Sequence, residues 1–223
     1  MQVDAVIVAA GSSTRFGGVD KLAADLEGRP VLAWSVAALA AAPSVARVVI
    51  VAPEQNLAAA EAIGRSYGAG KFDGAVAGGA RRRDSVEAGL RASRARYVAI
   101  HDGARPLVTP ELVERVVAKA VTGPGAILAI PAVDTIKEVD GGLVTGHPER
   151  SRLWSAQTPQ VVLRQAWLDA ARASDGDETD DAAMLARFGL EVAVVEGSVE
   201  NLKITRPLDL EVARLILRGR AAP

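Results

Sequence analysis

Short β-branched runs alternate along this chain with longer segments of helical period, and that alternation restricts its possible folds more than any other feature. Residues 3–9, 47–52, 97–101 and 126–131 are compact apolar runs rich in Val, Ile and Ala, and 191–195 is a later one. Between them, residues 31–42, 56–67, 82–94 and 110–121 carry Ala, Leu, Glu and Arg at helical spacing. Such repetition builds βαβ units, so the expected class is α/β, a mostly parallel sheet with helices on both faces. Ligands in these sheets bind outside the carboxyl ends of the strands, near a topological switch point.

The alternation breaks after Pro131. Thr135-Ile136-Lys137-Glu138-Val139 alternates in polarity, Asp140-Gly141-Gly142 turns the chain, and Leu143-Val144 resumes it, a hairpin signal. Residues 134–157 read as an arm projecting from the sheet, too short for a core of its own, so residues 1–223 are expected to form one domain. The acidic run 175–181 reads as the start of a helix through Met184, Leu185 and Phe188, with Thr179 or Asp180 at its N-cap. Asn201-Leu202-Lys203-Ile204-Thr205 reads as a strand.

Composition removes several classes of chemistry. A formal net charge of −1 leaves no global basic field for nucleic acid or an anionic membrane. The absence of cysteine excludes disulfides, thiolate metal sites and a Cys nucleophile. His101 and His147 are the only histidines, which excludes a three-His zinc site. No segment is long and apolar enough to span a bilayer and the N-terminus lacks a signal-peptide pattern, so a cytoplasmic location is expected.

Chemistry concentrates in four places. Val8-Ala9-Ala10-Gly11-Ser12-Ser13-Thr14-Arg15-Phe16-Gly17-Gly18-Val19-Asp20-Lys21 follows the first strand with small residues that let backbone N–H groups approach an anion, and Arg15 and Lys21 supply charge. It fits neither the P-loop nor the dinucleotide glycine spacing. Gly78-Gly79-Ala80-Arg81-Arg82-Arg83-Asp84-Ser85 precedes a helix; its arginines suit a solvated basic face and Asp84 or Ser85 suits a cap. Alternatively, the Gly79 backbone and Ser85 hydroxyl suit a nucleobase edge. His101-Asp102-Gly103-Ala104-Arg105-Pro106 ends a strand, where Asp102 suits either Mg²⁺ bridging substrate phosphates or an ion pair with Arg105 that orders the turn. His101 reads as structural rather than as a base. Lys203, between apolar neighbours, points either outward or in toward phosphate.

Together these residues resemble the 2-C-methyl-D-erythritol 4-phosphate cytidylyltransferase family, from Val6 to about Leu210. The resemblance is carried in order by Ala9-Ala10-Gly11 with Arg15 and Lys21, Gly78-Gly79 with Asp84-Ser85-Val86, and His101-Asp102-Gly103-Ala104-Arg105-Pro106. Asp134-Thr135-Ile136-Lys137, Leu153-Trp154, Gln157-Thr158-Pro159-Gln160, Thr179-Asp180-Asp181 and Asn201-Leu202-Lys203-Ile204-Thr205-Arg206-Pro207 continue it. It departs at Asp20-Lys21-Leu22, where the family usually has Pro-Lys-Gln after a loop one residue longer, and at Ala80, where an acidic residue is common.

The resemblance implies a Rossmann-like nucleotidyltransferase domain that joins CTP to methylerythritol phosphate and releases pyrophosphate, with Mg²⁺ as cofactor. It implies that Arg15, Lys21 and Lys203 are catalytic and that Ala9, Ala10, Gly11, Gly79, Ser85 and Asp102 bind CTP. Thr135, Arg150, Thr179 and Asp102 would receive the polyol phosphate, Asp102 would also hold the metal, and the arm would pair two subunits in a homodimer. A ribitol 5-phosphate cytidylyltransferase and a non-catalytic CTP-binding module are the alternatives.

Overall fold

Val3–Val8 forms β1, the strand at the centre of the molecule, and its residues are buried on both faces except at the carboxyl end. The structure is a computed structural model that describes residues 1–11, 20–173, 176, 178 and 180–221. After β1 the chain makes a small ribbon of β2 (Asp25–Leu26) and β3 (Arg29–Pro30), then α1 (Val31–Ala41), β4 (Val45–Ala52), α2 (Leu57–Tyr67) and β5 (Phe72–Ala77). There follow α3 (Arg82–Ala92), β6 (Tyr97–Asp102), α4 (Pro110–Ala120) and β7 (Gly125–Pro131). The hairpin β8 (Glu138–Asp140) and β9 (Leu143–Gly146) leads to β10 (Trp154–Leu163), α5 (Arg164–Ala173), α6 (Asp181–Ala186), β11 (Ala193–Glu196) and α7 (Pro207–Ala221).

Seven strands make one sheet in the order β11-β7-β10-β6-β1-β4-β5. All neighbours are parallel except where β10 runs antiparallel to β6 and β7. The chain winds outward from β1 to β4 and β5, then returns to lay β6 on the other side of β1, which puts the switch point at the β1 and β6 carboxyl ends. There Val8 pairs with Asp102.

Strand alternation divides the interior into two layers. Ala5 and Ile7 face α1 and α4 with Leu39, Val113 and Leu107, whereas Val6, Val98 and Ile100 face Val86, Leu90 and Trp167 of α3 and α5. Both faces are therefore apolar, which is why β1 reads as a nearly continuous hydrophobic run. Among the described residues, no helix is long and apolar enough to cross a membrane.

The arm is real but shorter than residues 134–157. Gly141 and Gly142 have φ of +55° and +82°, the left-handed pair that a two-residue hairpin turn demands. At Trp154 the chain has rejoined the sheet opposite Pro131, so residues 154–157 belong to β10. β2, β3, β5, β10, α5 and α7 are additional to the elements expected from sequence, and β4 begins two residues earlier, at Val45. Asp180 is the N-cap of α6, accepting from the Ala183 N–H at 2.8 Å, and the helix stops before Phe188. Residues 201–205, expected as a strand, form none.

Candidate active site

Three chain segments meet at the switch point: the exit of β1, the turn into α3 and the end of β6. The Ala9 N–H donates to Val51 O at 2.7 Å and the Gly103 N–H to Val8 O at 3.0 Å, tying the exits of adjacent strands together. They enclose a cleft of about 360 Å³ whose walls include Ala9, Ala10, Gly11, Gly79 and Ser85. Lys21, Asp102, Lys203 and Arg82 line it as well.

The turn into α3 is built by close approach. A Cβ on Gly78 would lie 2.5 Å from Ala10 Cβ and 2.8 Å from Ser85 Oγ, so only glycine lets the second loop close against the first. The Ser85 hydroxyl accepts from the Gly79 N–H at 3.2 Å and donates to Arg81 O at 3.3 Å. Neither Asp84 nor Ser85 is the N-cap of α3. That position is Arg81, whose N–H donates to Asp84 Oδ2 at 3.1 Å and whose guanidinium pairs with the same carboxylate.

The arginine run is no uniform solvated face. Arg82 makes a two-pronged ion pair with buried Asp181, while Arg83, also buried, donates to Gly176 O and Ala171 O. Arg82 was not among the residues expected in the site. Its signal is masked in sequence by identical neighbours.

Asp102 is the electrostatic centre. Lys203 Nζ is 2.8 Å from its Oδ2, Arg105 Nε 3.7 Å from the same oxygen, and Arg82 Nε 4.0 Å from Oδ1. Burial pushes the Asp102 carboxyl up, but Lys203, Arg82 and Arg105 together hold it down at about 2, so it is a carboxylate at neutral pH. The Asp102–Arg105 pair anticipated as a turn-ordering device exists and is one part of a larger cluster.

Lys203 reaches the cleft without a strand to carry it. Asn201 Nδ2 donates to Thr158 O at 2.9 Å, Arg105 donates to Asn201 O at 2.7 Å, and the Ile204 N–H donates to Ala104 O at 2.8 Å. These bonds fasten both sides of Lys203 to the β6 loop, and its side chain is 39% exposed. Behind the site, His101 is fully buried, and burial lowers it to about 4. Arg105 O can only accept, so the His101 Nε2 facing it at 3.1 Å carries the hydrogen. His101 Nδ1 then accepts from the Thr158 hydroxyl at 3.0 Å, whose oxygen accepts the Asp102 N–H at 3.0 Å. The histidine is a neutral brace, in agreement with the structural reading.

Lys21 sits on a turn closed by its neighbour: the Asp20 carboxylate accepts from the Leu22 N–H at 3.0 Å and from Asn56 Nδ2 at 3.3 Å. Asp20 thus orders the turn that carries Lys21. Arg15 and Thr179 lie outside the described residues. Thr135 and Arg150 do not line this cleft; Thr135 is exposed at the arm's root, and Arg150 donates to Val133 O at 3.0 Å beside Trp154.

The surroundings of Asp102 do not fit a metal held by the protein itself. One carboxylate faces three cations, its Oδ2 is already bonded to Lys203, and no cluster of three acidic, His or Cys side chains occurs among the described residues. Mg²⁺ keeps several waters and binds through one or two carboxylates together with substrate phosphates, and here the one carboxylate is already engaged by cations. Asp102 is better matched to ammonium and guanidinium partners than to a metal.

The doubly wound sheet, the glycine-rich exit from its first strand and the cationic cleft at its switch point define an α/β nucleotidyltransferase. A family model described as 2-C-methyl-D-erythritol 4-phosphate cytidylyltransferase matches residues 3–219. A relative of that name from Cereibacter sphaeroides is 44% identical over 221 residues, covering 97% of each chain, and one from Geotalea uraniireducens is 40% identical over 229 residues, covering 98% of each. The solved 4-diphosphocytidyl-2C-methyl-D-erythritol synthase of Anaerococcus prevotii matches with a TM-score of 0.86 at 27% identity, over 97% of this chain and 96% of its own. The chain belongs to the 2-C-methyl-D-erythritol 4-phosphate cytidylyltransferase family.

Proposed function

We propose that this protein transfers the cytidylyl group of CTP to 2-C-methyl-D-erythritol 4-phosphate, forming 4-diphosphocytidyl-2-C-methyl-D-erythritol and releasing pyrophosphate. The observation that carries the reading is the convergence of Lys21, Gly79, Ser85, Asp102 and Lys203, distant in sequence, on one cleft. Family membership supports the choice of nucleotide and acceptor.

The attacking atom is a phosphate oxygen, which is largely ionised at neutral pH, so the protein has no need to supply a base. This suits a cleft whose nearby histidine is neutral and buried. The chemical difficulty is to bring two polyanions together and to stabilise charge at the α-phosphorus, a task for positioning and electrostatics. In this reading Ala9, Ala10 and Gly11 present backbone to the triphosphate, and Gly79 and Ser85 meet the cytosine. Arg15, Lys21 and Lys203 neutralise the reacting phosphates, and Thr179 meets the polyol phosphate. A Mg²⁺ ion would be held by the triphosphate rather than by Asp102, and would supply charge neutralisation there. Asp102 holds Lys203 and contacts the polyol.

Thr135 and Arg150 serve the reaction through a homodimer, in which each arm delivers them to the other subunit's cleft. Support comes from their absence from the lining of their own chain's cleft and from the exposed Val139, Leu143 and Val144 on the arm. Pyrophosphate release measured with CTP, UTP, ATP and GTP, each crossed with methylerythritol, ribitol and sugar phosphates, tests the reading. CTP with methylerythritol phosphate is expected to dominate; a preference for ribitol phosphate would replace the acceptor, and binding without release would leave a CTP-binding module.

A further inference from the structure

Arg82 stands between two carboxylates at the first position of α3. Its NH1 and NH2 meet Asp181 Oδ1 and Oδ2 at 3.2 and 2.6 Å, which leaves the Nε edge turned toward Asp102 Oδ1 at 4.0 Å. Asp181 is itself immobilised from several directions. The Trp167 indole N–H donates to its Oδ1 at 3.2 Å, and its backbone N–H donates to Gln160 Oε1 at 3.0 Å. A planar guanidinium locked fork-to-fork on a buried carboxylate has little freedom left to lose when substrate arrives.

Lys203 is the contrasting partner. It rides on a flexible stem, is partly exposed, and takes Oδ2, the oxygen that Arg82 does not face. Arg105 also lies on the Oδ2 side, and its NH1 and NH2 are committed to Asn201 O and Ala156 O. When a phosphate enters the cleft, the Lys203 ammonium has two anions to choose between. Moving toward phosphate strips the partly buried Asp102 of its hydrogen-bonded counter-ion, and Arg82 faces the oxygen that Lys203 leaves untouched.

We propose that Arg82, anchored by Asp181, is a positioning residue that fixes the Asp102 carboxylate so that Oδ2 presents Lys203 to the cleft, and that it balances this carboxylate when Lys203 moves to a substrate phosphate. The inference rests on the proposed role of Lys203 in phosphate transfer and assigns to Arg82 no contact with substrate. Arg82 acts through Asp102, and that dependence makes its effect separable from a merely structural one.

The test is a double-mutant cycle on kcat, with whichever nucleotide and polyol phosphate the wild-type chain turns over. Arg82→Gln is expected to lower kcat roughly 10- to 100-fold, the scale of a misplaced reacting group, with KM for the nucleotide changed less than about twofold. In an Asp102→Asn background the same substitution should cost less than about twofold, because the residue it acts through is gone. Arg82→Gln with Asp181→Asn leaves a neutral pair and no unpaired buried charge, so it keeps the test available if Arg82→Gln fails to fold. That pair should show the same loss, again only when Asp102 is intact. Crystal structures of these variants give a readout independent of turnover: the Asp102 carboxylate should rotate out of its contact with Lys203. Equal losses with and without Asp102, or an Asp102–Lys203 pair unmoved in the variants, would overturn the proposal.

Discussion

Lys203 Nζ lies 2.8 Å from Asp102 Oδ2, joining a loop near the C-terminus to the carboxyl end of β6. Neither residue is near the other in sequence, and their pairing holds a cation in the lining of the switch-point cleft. A flexible ammonium held by a carboxylate can be handed to a phosphate without leaving the site.

Lys21→Ala and Lys203→Ala are each expected to lower kcat by roughly 10²-fold or more, the scale of losing a charge contact made in the transition state. Continuous pyrophosphate release measures it. Near-normal turnover in either variant would remove that lysine from the mechanism.

Asp102→Asn should also depress kcat, because Lys203 loses the anchor that aims it. The Mg²⁺ concentration giving half-maximal rate should stay within about twofold of wild type, since a carboxylate facing three cations suits them better than a metal. A steep rise in the Mg²⁺ requirement would restore Asp102 as a metal ligand.

His101 makes stability depend on pH. Its folded value of about 4 lies below the ordinary histidine range, so between about 4 and 6.5 the unfolded chain binds the extra proton and the folded one does not. Its contribution is fully present above that window and is lost as pH falls through it, amounting to about 2 kcal/mol between pH 7 and pH 5. Urea unfolding of wild type and His101→Gln at both pH values gives the comparison, and the variant should lack this component. An equal pH dependence in both proteins would contradict a neutral buried imidazole.

Subunit exchange tests the arm. If Arg150 of one subunit serves the cleft of the other, a mixture of inactive Lys203→Ala and Arg150→Ala chains rebuilds one intact site in each mixed dimer. Random re-association should then recover about a quarter of wild-type activity. Leu143→Asp should shift the protein toward monomer in sedimentation and abolish that recovery. No recovery from a mixture shown to form mixed dimers would place Arg150's role within its own chain.

The parallel core was legible because each strand buried on both faces announces itself as an apolar run, as β1, β6 and β7 do. β10 was not. Gln157, Thr158, Pro159 and Gln160 look wrong for a central strand, yet they are buried because partners elsewhere satisfy them. Gln157 bonds to Ser198, and Gln160 bonds to Asp180 and to the N–H groups of Asp181 and Ala182. Polar groups enter a core only with their hydrogen bonds made, and those partners are 20 or more residues away in sequence.

The arginine run marks the same boundary within the site. From sequence alone Arg81, Arg82 and Arg83 are three equivalent cations at a helix start. In the fold each has a separate task, with Arg81 on Asp84, Arg82 between Asp181 and Asp102, and Arg83 on the carbonyls of Ala171 and Gly176.

By itself the sequence determined the α/β class, the glycine-rich exit from the first strand, the hairpin arm and the residue types of a phosphate-handling cleft. Those are local properties, written in periodicity, backbone freedom and charge over a few neighbouring residues. Only the tertiary structure decided that Lys203 meets Asp102 without a strand, that Arg82 joins them, and that Thr135 and Arg150 lie outside the cleft of their own chain. Such pairings depend on chain topology and on the hydrogen bonds that let buried polar groups remain buried, and neither is readable from a window of sequence.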